Sequence, residues 1–230
     1  MTKRRQRTDP EAQALEELRE KLLLATLPHV AFDGWTQAAL RAGASDAGLS
    51  ADDVAQAFPG GAIAAIEAFN RRADRRMVAA VDALDTSGMR SHEKIAAAIR
   101  ARLEDVGPHK EAVRRAFTVL ALPFNAPLAL RMLHRTVDAA WHAAGDRSTD
   151  FNWYTKRGLL AGVYSATVLY WLNDRSQDHA ETWAFLDRRL QDVMRIGGAI
   201  GRAGKALGEF RNPFRPSRSG PFPGPFSGRR

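Results

Sequence analysis

The stretch STDFNWYTKR, from Ser148 to Arg157, crowds Phe151, Trp153 and Tyr154 between Asp150 and a basic pair. That spacing fits neither one helical face nor one strand face, so at least one ring should face outward, toward a ligand, a membrane or a partner. The alternative is that Trp153 and Tyr154 seal the end of a bundle beneath a loop at Gly145. Groups that could transfer protons or hold metals are sparse by comparison. The histidines, at 29, 92, 109, 134, 142 and 179, are scattered. His134 and His142 fall on one expected helix, but no carboxylate sits at a ligand-like spacing from both. Both are read as buried histidines satisfied by a hydrogen bond. The Glu-x-x-His pair of di-iron bundles is missing, as are a nucleophile elbow, a P-loop and a dinucleotide fingerprint. With no cysteine, thiolate metal sites, disulfides and a cysteine nucleophile are excluded. No catalytic residue, metal site or cofactor of its own is assigned, and the chain reads as a non-enzyme.

A second set of residues could hold an apolar guest. After Asp150 no charge follows Arg157 until Asp174, and the stripe Trp153, Leu160, Tyr164, Thr167, Trp171 recurs at helical spacing. Apolar residues on all sides suggest a helix packed in the middle of a domain. Gly158, Ala161, Gly162, Ser165 and Ala166 punctuate it. They either let neighbouring helices approach closely or leave volume for a ligand. The preceding segment offers Leu130, Leu133, Val137 and Trp141 at matching spacing. These residues are ordinary core one by one; as a set they are candidates for a lipid or cofactor cavity.

The elements that must position them are all helical. No segment reads as a strand, and apolar residues recur at three and four throughout. Asp9-Pro10 announces a first helix carrying Leu15, Leu18, Leu22 and Ala25, expected to end near Pro28. Thr36 and Ser50 are candidate caps, the latter with Asp53 at capping-box spacing. A longer helix follows from about Gly61 to Asp85, and two more are separated by Gly107-Pro108 and closed by Pro123. Further helices run from about Ala126 to Ala144, from just after Ser148-Thr149-Asp150 to about Leu172, and from near Asp178 through Met194. The resulting division is a basic flexible arm (1–10), a helix-turn-helix-like domain (11–85), a helical lipid-binding and dimerisation domain (86–195), an amphipathic segment (196–211) and a disordered Pro/Phe-rich tail (212–230).

The net charge of +8 lies almost wholly at the ends. Lys3, Arg4, Arg5 and Arg7 face only Asp9 in residues 1–9, and seven cations face only Glu209 in residues 202–230, which leaves residues 10–201 at −1. Basic ends on a near-neutral body favour contact with an anionic surface through the termini. In the last segment Ile196, Ile200, Ala203, Leu207 and Phe210 form one apolar stripe beside Arg202 and Lys205, the pattern of an interfacial helix. Glycines at 197, 198, 201, 204 and 208 weaken it by about 1 kcal/mol each relative to alanine, so anionic lipid would decide whether it forms. Charge-dependent, reversible membrane association is expected there. The basic N-terminus lacks an apolar core segment, so no secretory signal is expected. The apolar run from Gly158 to Leu172 falls short of the ~20 residues of a membrane span.

The first 85 residues resemble the N-terminal domain of tetracycline-repressor-type regulators, with a short helix opening at Gly34-Trp35-Thr36 and Phe58-Pro59 after the next. Recognition of DNA needs cations facing phosphates. From Ala42 to Asn70 there is no lysine or arginine, while Asp46, Asp52, Asp53 and Glu67 add four negative charges. A ligand-responsive DNA-binding regulator is thus the alternative function, a degenerate helix-turn-helix the preferred reading, and no nucleic-acid partner is expected. The acidic residues also serve plausibly as helix caps.

The run WHAAGDRSTDFNWYTKR, followed by ETWAFLDRR and preceded near the N-terminus by LPHVAFDGWT, is similar to the ninth coenzyme Q biosynthesis protein family over roughly residues 11–196. The resemblance implies a tetracycline-repressor-like, all-α homodimer without the regulator's role, which binds isoprenoid lipid in its helical C-terminal domain. It implies service to the di-iron hydroxylase of demethoxyubiquinone, docked through an aromatic patch. The matching positions here are Trp153 and Tyr154, with Asp150 and Arg157 beside them. The expected guest is an isoprenoid quinone or a phospholipid, and the expected location is cytoplasmic, peripheral to the inner membrane.

Overall fold

The first helix, α1 (Pro10–Asp33), starts at the expected proline and continues past the one expected to end it. Pro28 cannot donate to the carbonyl of Leu24. Both residues lie on the exposed side of α1, where water can take that carbonyl, while Leu27 and Val30 are buried in the core and carry the helix onward. Gly34, at φ +68°, then stops α1 and donates to the Val30 carbonyl. The computed structural model describes residues 10–145, 151–193 and 195, with the backbone alone for 151–154. Asp150 and residues 196–230 therefore lie outside the described residues, as do the side chains of Trp153 and Tyr154.

The next two helices begin at the caps the sequence marks. α2 (Gln37–Asp46) opens at Thr36, whose hydroxyl accepts from the Ala39 N–H at 3.1 Å. α3 (Ala51–Ala57) opens with a full capping box: Ser50 Oγ accepts from the Asp53 N–H at 3.1 Å, and the Asp53 carboxylate accepts from the Ser50 N–H at 2.7 Å. Those bonds, the backbone one foremost, hold the Asp53 carboxyl below its usual range. Asp46 meets His29 at 2.7 Å. The acidity of this segment is thus partly local structure. Trp35 ties the unit down, donating from Nε1 to the Ala112 carbonyl at 2.9 Å and packing on Phe69. Phe58 is buried in the core.

The remaining helices are α4 (Gly61–Asp82), α5 (Ser91–Asp105), α6 (Lys110–Leu120), α7 (Ala126–Ala143) and α8 (Phe151–Asn173), followed by α9 over residues 180–193. No strand occurs among the described residues. α1 packs on α2, α3 and α6; α4 packs on α5 and α7; α7 packs on α8. Leu22, Leu27, Ile66, Met77, Ile99 and Trp171 are among the side chains that close the core. The described residues up to Val193 form one unit.

α8 differs from expectation. It is not wrapped on all sides: Gly158, Gly162, Leu169, Tyr170 and Asn173 are exposed along it. A charge-free helix needs only one buried stripe, and small residues reduce the apolar area left in water. Its end is fixed by Asp174, whose carboxylate accepts from the Thr182 N–H at 3.0 Å, the Thr182 hydroxyl at 2.5 Å and the Ser176 N–H at 2.7 Å. Burial alone would raise this carboxyl, but the hydrogen bonds from Thr182 and Ser176 outweigh it and hold the group well below the usual carboxylate range. The reading of His134 and His142 as buried is also corrected: both are exposed, on the outer side of α7.

Candidate functional site

α7 packs on α8, and a groove of about 790 Å³ opens between residues of the two helices. Leu130, Leu133 and Val137 of α7 form one wall, and Gly158 and Ala161 of α8 form the other. The wall on α8 is set back because it lacks side chains. A methyl group built on Gly158 or on Gly162 would meet nothing within 4 Å. Of the two roles open to the small residues, these two glycines leave volume; they do not bring helices together within the chain. Arg131, His134, Arg135 and Arg157 edge the groove.

A second cavity of about 270 Å³ adjoins it, sharing Leu130 and Leu133. It is apolar on the side of Phe117, Leu120 and Met132, and polar where Asn70, Thr136 and Tyr164 enter. That polar face belongs to a buried network. Arg102 donates from Nε to Asp74 at 2.9 Å and from Nη2 to the Asn70 side-chain oxygen at 2.7 Å. The Thr136 hydroxyl donates to Asp74 at 2.9 Å, and Asn70 Nδ2 donates to Asp74 at 3.2 Å. Two buried charges are tolerable because each is paired and hydrogen-bonded. Tyr164 lies 5.5 Å from the Arg102 guanidinium, ring centre to carbon. Burial pushes its phenol up, so at neutral pH it stays protonated. An apolar trough with convergent polar groups at one end has the volume and character of a site for an amphiphile.

The expected lining residues divide accordingly. Leu130, Leu133 and Val137 line the large groove, and Tyr164 lines the adjoining cavity. Leu160, Thr167 and Trp171 are buried and line neither; Thr167 bonds back to the Val163 carbonyl, and Trp171 sits under the Lys110 ammonium at 4.9 Å. Trp141 is buried beneath Lys156 at 5.4 Å. Arg157 is 7% exposed, with its guanidinium on Asp138 at 2.7 Å. It fastens α8 to α7 at the edge of the groove. Asn70, Thr136, Phe117 and Met132 were not singled out from sequence. The available signal was a polar residue recurring within an apolar face, Asn70 and Asp74 one turn apart on α4. Among the described residues no group of three or more potential ligands could hold a metal ion.

A family model described as COQ9 matches residues 126–197, the interval that contains both walls of the groove. The ubiquinone biosynthesis protein COQ9, mitochondrial, of Bos taurus is 37% identical over 189 residues, covering 79% of this chain and 59% of that one. The chain is thus similar to the COQ9 family over most of its length. The protein of the same name from Homo sapiens is 36% identical over 189 residues, with 79% and 59% covered. That from Drosophila melanogaster is 36% identical over 197 residues, with 82% and 60% covered. The chain thus spans about three fifths of the length of these relatives. Among solved structures, a TetR transcriptional regulator from Nitrosomonas europaea superposes with a TM-score of 0.65 at 20% identity, covering 77% of this chain and 98% of that one. The fold of this chain is therefore the tetracycline-repressor-like, all-α fold expected from its sequence.

Proposed function

We propose that this chain is a non-catalytic, lipid-binding accessory protein of ubiquinone biosynthesis. It holds an isoprenoid quinone intermediate and presents it to the demethoxyubiquinone hydroxylase at the membrane. The observation that carries this reading is the open, glycine-walled apolar groove between α7 and α8, in a chain whose relatives are named for ubiquinone biosynthesis. Leaving an isoprenoid tail in water is expensive: at ~0.8 kcal/mol per CH₂, each five-carbon unit costs roughly 4 kcal/mol. A groove that takes two or three units offsets most of the cost of bringing the head group out of the bilayer. The oxygenated ring would face Asn70, Thr136 and Tyr164, and the tail would lie along Leu130, Leu133 and Val137. Trp153 and Tyr154, next to the Arg157 anchor, are the proposed docking contact for the hydroxylase. The protein acts as a homodimer, attached peripherally to the cytoplasmic side of the inner membrane through Ile196, Ile200, Arg202, Ala203, Lys205, Leu207 and Phe210.

The test is to extract purified protein with organic solvent and identify the lipid by mass spectrometry, alongside the variant Gly158→Leu. The wild type should yield near-stoichiometric isoprenoid quinone or phospholipid. Because nothing stands within 4 Å of a side chain begun at Gly158, the variant should melt no lower than the wild type and come out empty. Equal lipid in both would sink the groove as the site, and an empty wild type would remove lipid binding altogether. Docking is read separately: Trp153→Ala with Tyr154→Ala should abolish hydroxylase binding without moving the melting curve. The regulator alternative lacks support, since the repressor-like segment from Ala42 to Asn70 has no cation to offer phosphate.

A further inference from the structure

The corner where α6 turns into α7 carries four of the nine exposed large hydrophobic residues among the described ones. The two helices bend through 99° there. At the tip, Leu122 is 43% exposed, Phe124 77% and Leu130 66%, with Phe117 beside them at 36%. Between Arg115 and Arg131 the chain carries no charge at all. A soluble surface rarely leaves large apolar side chains together in water without something to cover them. The corner is also built rather than loose. Asn125 Nδ2 donates to the Val119 carbonyl at 2.9 Å, and the Asn125 N–H donates to the Leu122 carbonyl at 2.8 Å. Pro123 then opens a 3-10 turn that holds Phe124 outward.

The charges around this tip have one sign. From Ala112 to Val137 there is no carboxylate, while Arg114, Arg115, Arg131 and Arg135 all lie in that interval. Arg114 and Arg115 share the single carboxylate of Glu111, leaving an excess of positive charge, and neither Arg131 nor Arg135 pairs with a carboxylate among the described residues. Apolar side chains at a tip with arginines set behind them match the layering of an anionic bilayer, acyl chains beneath phosphates. A protein partner for such a tip would have to be both apolar and acidic. No single helix among the described residues is long and apolar enough to cross a membrane, so insertion would be shallow.

We infer that the α6–α7 corner is a membrane-inserting tip for anionic lipid, separate from the C-terminal segment, and that it sets the mouth of the groove against the bilayer. Phe117 and Leu130 belong both to the tip and to the cavity that continues into the groove. A lipid leaving the bilayer at Leu122 and Phe124 meets Leu130 next, without crossing water. The contact with the bilayer stands on the corner alone; the passage of lipid through it rests on the proposed function.

The chain has no cysteine, so Phe124→Cys in the full chain gives one attachment point for a polarity-sensitive fluorophore. The probe surface is vesicles of phosphatidylcholine with and without phosphatidylglycerol. The label should shift to the blue with phosphatidylglycerol vesicles, be quenched by spin-labelled acyl chains, and revert as salt rises. A label at Asp52→Cys, on the acidic α3, should not respond. Leu122→Asp with Phe124→Asp should weaken vesicle binding at least about tenfold. The proposal is overturned if the protein binds vesicles while the label at 124 stays in water, or if it does not bind them. It is equally overturned if the label shifts without vesicles as protein concentration rises, which would mean that a second copy covers the tip. An empty lipid extract with a label that still inserts would remove the groove's role and leave the tip standing.

Discussion

Where α1 crosses α2, a methyl group on Gly43 would stand 2.5 Å from the Thr26 hydroxyl oxygen and 2.6 Å from the Thr26 Cα. Where the groove opens between α7 and α8, a methyl group on Gly158 would stand near nothing, nor would one on Gly162, a turn further along α8. The same residue type serves opposite ends. In the N-terminal crossing, glycine brings two backbones together, and Thr26, itself fully buried, hydrogen-bonds back to the Leu22 carbonyl so that no polar group is stranded. In the C-terminal pair, glycine withholds a side chain and leaves a trough. One half of the repressor-like fold is closed by contact, the other held open by the absence of contact. A ligand-binding function needs that division, because a groove stays open only if the rest of the chain supplies the stability it forgoes.

The comparison breaks most easily at Gly43. Gly43→Ala should cost about 3 kcal/mol or more, because the obstruction is the backbone of Thr26, which no rotamer change relieves. Urea denaturation of purified protein measures it. A cost under about 1 kcal/mol would mean that the helices slide apart freely and that the N-terminal half is not the rigid one.

A smaller effect is expected at Thr182, which closes the turn from α8 into α9. Thr182→Val keeps the shape but removes the hydroxyl that donates to Asp174, and hydrogen bonds to a charged group contribute about 1.5–3 kcal/mol. The pH dependence follows from the lowered carboxyl. Asp174 titrates lower in the folded chain than in the unfolded one, where the usual value is about 3.9. Its stabilisation is therefore complete above about pH 4 and is lost as pH falls toward the folded value. Wild type and variant should differ most at neutral pH and converge in acid. A difference that stays constant as pH falls from 7 to well below the usual carboxylate range would mean that packing around the Thr182 side chain, and not the charge on Asp174, fixes the closed end of α8.

Local features were legible in the sequence. Thr36, Ser50 and Asp53 declare helix starts because capping involves residues three apart. The helices from Gly61, Ala126 and Phe151 follow from apolar spacing and breakers. Pro28 misled because whether a proline ends a helix depends on which side of it is wet, and that is decided by the core against Leu27 and Val30. The stripe Leu160, Tyr164, Thr167, Trp171 was found, yet only Tyr164 reaches a cavity: periodicity names a face without saying what stands opposite. The network of Asn70, Asp74, Arg102 and Thr136 was out of reach, since its members lie up to 66 residues apart and each looks like an ordinary polar residue alone. The exposure of His134 and His142 was misjudged for a related reason, because α7 presents a side that no helix covers among the described residues.

The smallest effect tests the open half directly. Gly162 is exposed in the interior of α8, with nothing within 4 Å of its missing Cβ. In that setting Gly162→Ala should stabilise the chain by about 0.5–1 kcal/mol, through helix propensity and a less flexible unfolded state. For a chain of this size that corresponds to a rise of a few degrees, roughly 2–4 °C per kcal/mol, in the melting midpoint. A destabilised variant would mean that another surface presses closely on α8, and a dimer then predicts that the loss grows as protein concentration rises, because the association it disturbs is itself part of the measured stability. A stabilised variant that still dimerises would put the contact between copies elsewhere, so one methyl group separates a stretch of α8 left open from one kept small for a second chain.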